Sequence, residues 1–424
     1  MHPSPIRAAR INLNIKLYTN QEGHPNPMVS TQTANDAATE APATGSLLVS
    51  LTSLPHEALE ATLSNLALAF PNQTIFVAMP NAAPSISSGS PLRLLPYTPA
   101  APSTGTWVLT ASDYFNTFKL AEEHQATSCL LLGAESQSLN PEAIRALAAA
   151  SLVSDLAVAH YTLGPREGLV NSAILYPITR ALFCTRPRFP LAIDLGLSLR
   201  MANRLATVAQ KFTASNQPDA LLWPVAEAAT ANYTITEIDI GSRALPLPIE
   251  PDLSSVLSRI AASLFADVDA KASFWQRARG IQFARVIPQA PAPFDGPPDV
   301  APMLDAFHIA CTNLQEVWSL ILPPNSLLGI KKLSLLSRDN FRMPDTLWAR
   351  ILYDFILAYR LRTINRGHLM GALTPLYLAW VASHLILIAD GMPPEQHIEE
   401  QAQTFENDKP YLVSRWRWPD RFTP

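Results

Sequence analysis

The chain has 424 residues, 48% of them hydrophobic, and a formal net charge of −4 at pH 7. That length sets a prior of two or three domains with sizeable cores, and the charge leaves no basic field to attract nucleic acid. The three cysteines, Cys129, Cys184 and Cys311, show no pairing or metal spacing and fit buried thiols in a reducing compartment.

Residues 1–45 lack periodic apolar content and are rich in Pro, Thr, Ala, Asn and Ser. That composition reads as a disordered tail, because it cannot bury enough surface to offset chain entropy. Met28 is an alternative start. No stretch near the start has the apolar core of a signal peptide, so a cytoplasmic location is expected.

Alternating elements begin at Ser46. Leu47–Leu51 reads as a strand, Glu57–Phe70 as a helix with Leu59, Leu63, Leu66 and Phe70 on one face, and Thr74–Met79 as a second strand. Such a βαβ unit implies a parallel pair. Residues 80–104 read as a Pro/Ser-rich connection and Thr106–Leu109 as a short strand. Ser112 is expected to cap a helix running to about Gln125, with Phe115, Phe118 and Ala121–Glu122 as its inner edge.

Ser128–Ser138 is an apolar run emptying into a short polar turn, Gly133-Ala134-Glu135-Ser136-Gln137-Ser138. Asn140 is placed to cap the next helix, with Pro141 at its first position and Glu142 in its first turn. In an open α/β sheet the ligand crevice lies beyond the carboxyl ends of the strands. A nucleotide site would therefore border Gly133–Ser138, with Glu135 either a contact or only a solvated turn residue. Asp155–Leu163 gives another strand, and residues 219–240 a short helix followed by a strand at Tyr233–Ile240. The first half is an alternating α/β sheet. No G-x-G-x-x-G, Walker-type, G-x-S-x-G or H-E-x-x-H motif occurs, which leaves dinucleotide, P-loop, serine hydrolase and zincin readings without support.

Asp194 is an isolated carboxylate among apolar neighbours, followed by Leu195-Gly196. A buried carboxylate is costly unless hydrogen-bonded or functional, so Asp194 is a catalytic candidate or else a helix cap or structural ion-pair partner. Arg180, also among apolar residues, could hold a phosphate or carboxylate, or pair with Asp194.

The second half reads as helical. Asp252–Arg277 is a long helix, residues 281–298 form a Pro-rich linker, and Met303, Phe307, Ala310, Leu314, Val317 and Ile321 make one stripe. Pro344 starts another helix with Leu347, Ile351, Phe355 and Tyr359 on one face. Leu369–Ala389 carries no formal charge and is long enough to cross a bilayer. Its Thr374, Pro375, Ser383 and His384 favour the buried central helix of a bundle over a span.

The runs Asn171–Leu182, Ile193–Ser198, Phe341–Trp348, Leu373–Tyr377 and Lys409–Val413 resemble bacterial GT-A-fold glycosyltransferases of the glucosylglycerate and mannosylglycerate synthase type, over about residues 46–415. The resemblance implies a GT-A-like (Rossmann-like) α/β nucleotide-sugar domain at 46–280 with a mostly parallel sheet, the linker at 281–298, and a C-terminal α-helical domain at 299–424. It implies hexose transfer from a nucleotide sugar to a small acceptor such as glycerate, with Mg²⁺ or Mn²⁺ on the diphosphate. Asp194 would be the catalytic or acceptor-orienting group, and Asn171, Tyr176, Arg180 and Glu135 the substrate-binding residues. Homo-oligomerisation is left open.

The departures from the family pattern are specific. Its Asp-x-Asp motif is replaced by Gly133-Ala134-Glu135-Ser136-Gln137, its Gly-Gly-Asp by Ala192-Ile193-Asp194, and its metal-binding His-Asp segment by Gly241-Ser242-Arg243-Ala244-Leu245. Glu135 alone is a weak metal ligand set, since a divalent cation wants several oxygen ligands. Arg180, Arg243 or Lys119 could stand in for the cation. Two readings follow: an active hexosyltransferase, or a catalytically degenerate module that binds a sugar nucleotide or a partner protein.

Overall fold

A computed structural model describes residues 46–80, 91–99, 107–246, 253–279 and 298–419. The expected tail at 1–45 and all but the last residue of the expected linker lie outside these. The strands are β1 (Leu47–Leu51), β2 (Ile75–Pro80), β3 (Leu92–Tyr97), β4 (Ser128–Leu132), β5 (Leu156–Thr162), β6 (Asp194–Ser198) and β7 (Ile235–Ser242). They form one sheet in the order β3-β2-β1-β4-β6-β5-β7. All neighbouring pairs are parallel except β4–β6 and β5–β6.

The sheet is covered by α1 (His56–Ala69), α2 (Ala111–Glu123), α3 (Pro141–Val153), α5 (Leu199–Ala214) and α6 (Pro224–Thr230), while α4 (Tyr176–Phe183) packs into the helical core. Every residue of β1 and of β4 is buried, as expected of central parallel strands covered on both faces. Gly196 of β6 sits where a Cβ would lie 2.7 Å from the Leu147 carbonyl oxygen of α3, so a side chain there would push α3 off the sheet.

Several expectations need correction. Residues 107–109 form no strand; Thr110 makes only an isolated bridge to Leu221. The strand lies instead within the supposed connection, as β3. Pro96 hid it, and is tolerated because β3 is at the sheet edge, where a missing N–H costs least. Thr110, not Ser112, caps α2, in a capping box with Asp113. The inner face of α2 is Tyr114, Thr117, Leu120 and Ala121, with Phe115 and Phe118 only half-buried. The Asn140 cap is as expected, its side chain accepting from the Ala143 amide at 2.7 Å.

The remaining helices are α7 (Leu253–Ala270), α8 (Ala272–Trp275), α9 (Ala301–Asn313), α10 (Gln315–Ser319), α11 (Pro324–Leu333), α12 (Asp345–Leu361), α13 (Arg366–Ala389) and α14 (Pro394–Arg417). The chain is thus an α/β sheet domain followed by a C-terminal helical region. α13 is the expected axis, packing on α7, α9 and α12. It is long and apolar enough to cross a membrane, and 67% of its most apolar window is buried against the protein.

The helical core is not confined to residues after 298. It also takes in Ala173–Leu175, Ile178, Leu221, Trp223 and much of α7. Four tryptophans in it are fully buried, and each indole N–H has a partner: Trp275 the Val268 carbonyl, Trp318 that of Ala372, Trp348 that of Ala173, and Trp380 the Gln401 side chain.

Candidate functional site

The carboxyl end of β4 lies beside the start of β6, with Leu132 opposite Asp194. The turn after β4 begins at Gly133, where a Cβ would stand 2.8 Å from Ile193 Cβ, so only glycine lets the turn pass this closely. Glu135 follows in the left-handed region, φ +62°, an unusual conformation for a residue other than glycine. The Ser138 hydroxyl donates to the Glu135 carbonyl at 2.7 Å, and Gln137 Nε2 donates to Glu135 Oε2 at 2.7 Å. From α1, Thr62 bonds Ser136 at 3.0 Å and Asn65 donates to the Leu139 carbonyl at 3.0 Å. The turn is rigidly tied.

Arg243, immediately after β7, reaches across the strand ends into this turn. Its side chain and that of Asp194 are both 0% exposed. Nε donates to Asp194 Oδ2 at 2.9 Å and Nη2 to Asp194 Oδ1 at 3.2 Å and to the Ala134 carbonyl at 2.7 Å. Nη1 donates to the Glu135 carbonyl, to the Ser138 hydroxyl at 2.9 Å and to the Ala244 carbonyl at 2.8 Å. A guanidinium has five N–H donors, and all are engaged within the protein.

Asp194 is saturated in the same way. Besides the guanidinium it accepts from the Gly133 amide at 3.2 Å and from the Tyr161 hydroxyl at 3.3 Å. The Tyr161 hydroxyl in turn accepts from the amides of Ile193 at 3.0 Å and Asp194 at 3.2 Å. Burial, reinforced by the Asp194 charge, pushes the Tyr161 hydroxyl well above its usual pKa, so its proton stays in this network. Asp194 therefore pairs with Arg243; the expected alternative of an Arg180–Asp194 pair does not form.

Asn171, Tyr176 and Arg180 lie elsewhere, against α14. Asn171–Leu175 is a π-helical turn, closed by the Tyr176 amide donating to the Asn171 carbonyl. That pattern diverts the donor an α-helix would give to Ser172, and Pro177 has no N–H for the Ala173 carbonyl. Both freed carbonyls are satisfied from the helical region. Gln401 Nε2 donates to Ser172 at 3.1 Å, and Trp348 Nε1 donates to Ala173 at 2.8 Å.

Asn171 Nδ2 donates to the Arg188 carbonyl at 2.8 Å. Arg180 donates to Glu406 at 3.1 and 3.2 Å, to Glu399, and to the Tyr176 hydroxyl at 3.0 Å. The Tyr176 hydroxyl donates to Glu399. Burial opposes the Arg180 charge, but Tyr176 and then Glu406 and Glu399 outweigh it and raise the Arg180 pKa above its ordinary value. The structure thus brings Glu135 and Asp194 together and places Asn171, Tyr176 and Arg180 in a separate joint between α4 and α14.

A divalent cation does not fit at Asp194, because both carboxylate oxygens already face a guanidinium and a second cation would meet its charge. Among the described residues no three His, Cys, Asp or Glu side chains are grouped to hold a metal ion. Sequence reasoning named Arg243 only as one of three stand-ins for the cation, placed Ser138 only within the bordering turn, and missed Tyr161. The available signal was a lone arginine beside Ala244-Leu245 at a strand end, a costly place for a charge without a buried partner.

No family model matches the chain, and no curated protein matches it. Among solved structures it is similar to glucosyl-3-phosphoglycerate synthase from Mycobacterium tuberculosis, in complex with Mn²⁺, UDP-glucose and glycerol 3-phosphate, at 14% identity and TM-score 0.34, covering 57% of this chain and 85% of that one. It is similar to mannosyl-3-phosphoglycerate synthase from Rubrobacter xylanophilus at 11% identity and TM-score 0.36, covering 57% and 79%. A mycobacterial protein matches at 14% identity and TM-score 0.34, covering 56% and 78%. At these scores the similarities carry no argument about the site.

Proposed function

We propose that this chain is a glycosyltransferase-like module whose position for a metal-assisted leaving group has become a structural ion pair, so that it binds a nucleotide sugar without transferring the hexose. The resemblance over residues 46–415 supports the nucleotide-sugar part. The observation that carries the loss of transfer is the sealed Arg243–Asp194 pair. Asp194 has no lone pair directed to solvent with which to take a proton from an acceptor hydroxyl, and Arg243 has no donor left for a diphosphate. In this reading Asn171, Tyr176 and Arg180 hold the helical region to the sheet domain.

The experiment is calorimetry of the protein with UDP, GDP, UDP-glucose and GDP-mannose, with Mn²⁺ or EDTA, together with a transfer assay to glycerate and glycerol 3-phosphate. Binding of at least one nucleotide, changed less than twofold by Mn²⁺ or EDTA and without product, is expected. Mn²⁺-dependent product would overturn the proposal and restore the active-transferase reading. That second reading has one observation in its favour: Glu135 is half-buried at the crevice and, among the described residues, its carboxylate bonds only to Gln137, leaving capacity for a ribose or metal contact.

A further inference from the structure

A cavity of about 320 Å³ opens between α11 and α12, away from the strand ends. That size is within the range of small-molecule sites. Its walls are of two kinds. Leu336, which is 40% exposed, and Leu347 give an apolar side, and Lys332, Arg342 and Arg350 give a cationic one.

The cations are not equivalent. Arg342 donates to Asp390 and, at 2.8 Å, to the Phe341 carbonyl, and its Nε has no partner among the described residues. Arg350 donates to Asp408 through Nε at 2.9 Å and Nη2 at 3.2 Å, leaving Nη1. Lys332 has no ion-pair partner among the described residues and carries the surplus positive charge.

Ser326 also lines the cavity. It is 3% exposed, and its hydroxyl has no hydrogen-bond partner among the described residues. The hydroxyl is not sealed from solvent, so it is available to donate to a ligand acceptor in the cavity. The first turns of α11 and α12 border the same space, and neither helix has a side-chain cap. The start of α11, with no acidic residue in its first turn, adds positive potential and unsatisfied amide donors, whereas Asp345 in the first turn of α12 offsets that of α12.

We propose that this cavity is a binding site for a small amphipathic anion, a carboxylate or phosphate group carried on an apolar body, with the anion between Ser326, Lys332 and the two arginines and the apolar part against Leu336 and Leu347. A free inorganic anion would use half of the site, and an uncharged hydrophobe the other half. Neither would recover the whole of the interaction.

The probe is 1-anilinonaphthalene-8-sulfonate, titrated by fluorescence and calorimetry into the full chain. Its uncharged analogue N-phenyl-1-naphthylamine and inorganic phosphate serve as the two half-ligands. One sulfonate probe per chain is expected, bound at least tenfold more tightly than the neutral analogue. Lys332→Glu should weaken it at least tenfold, and Ser326→Ala about threefold. Lys331→Glu, one position along the same helix and outside the cavity, should change it less than twofold. Melting curves of the two lysine variants should coincide with the wild type, since both lysines are exposed. Equal effects of Lys331→Glu and Lys332→Glu, equal affinity for the neutral analogue, or the absence of saturable one-to-one binding would each overturn the proposal.

Discussion

The Asp194→Asn substitution separates two roles for that residue. A catalytic base predicts lost transfer with an unchanged melting temperature. The geometry predicts a large loss of stability, because the amide cannot balance the Arg243 guanidinium, which is 0% exposed, and turns an N–H toward the donors of Gly133 or Tyr161. Breaking a buried ion pair by removing one partner costs about 3–5 kcal/mol. Over the roughly 330 described residues, at ~2.1 cal/mol/K each, the unfolding entropy near the midpoint is about 0.7 kcal/mol/K.

The expected drop is therefore about 4–7 °C, read by scanning calorimetry. Arg243→Met should fall by a similar amount. The double variant, with neither charge left, should melt well above the temperature that adding the two losses predicts, giving a coupling energy of about 2 kcal/mol or more. A drop below 1 °C for Asp194→Asn, or strict additivity in the double variant, would refute the reasoning and return Asp194 to the catalytic role.

Asp267 shares Lys271 with Glu227, and its Oδ2 is buried without a partner among the described residues. Burial, only partly offset by Lys271, pushes its pKa up to about 6. Unfolded, it titrates near 4, so the folded state binds the extra proton between these values and its stability contribution is full below pH 4 and lost as pH rises through about 6. The stability of the wild type relative to Asp267→Asn, measured by denaturant unfolding, should thus fall between pH 4 and 6 and level off above 7; a constant difference across that range would contradict the assignment. Separately, if residues 281–298 link two domains, limited proteolysis should cut there. The two pieces should nevertheless co-elute on size exclusion, because Trp275 packs edge-on against Trp416 at 4.9 Å and Lys409 donates to the Ala278 carbonyl at 2.8 Å; separation of the pieces without denaturant would show that the shared core is weaker than its contacts indicate.

What the sequence by itself determined is what is decided within a turn or a strand length. The all-apolar run of β4, the Asn140-Pro141-Glu142 helix start and the apolar stretch of α13 carry their own periodicity and capping chemistry, which do not depend on distant residues. The α/β alternation and the helical second half followed from the same local signals. β3 escaped because Pro96 argues against a strand, and only its place at the sheet edge makes that proline acceptable.

The tertiary structure decided every charge pairing that bears on function. Asp194 and Arg243 are 49 residues apart, and Arg180 and Glu406 are 226 apart. Sequence could say that each buried charge needs a partner, since an isolated one is too costly. It could not say which, because the choice depends on which strand ends the sheet order brings together. The insertion of antiparallel β6 between β4 and β5 puts Asp194 at the turn after β4, and the parallel pairing of β5 with β7 delivers Arg243 to the same edge. The π-turn at Asn171–Leu175 and Pro177 leave carbonyls that only α12 and α14 can satisfy. A run of residues that reads from sequence as a substrate pocket is, in three dimensions, the joint between the sheet and the helices.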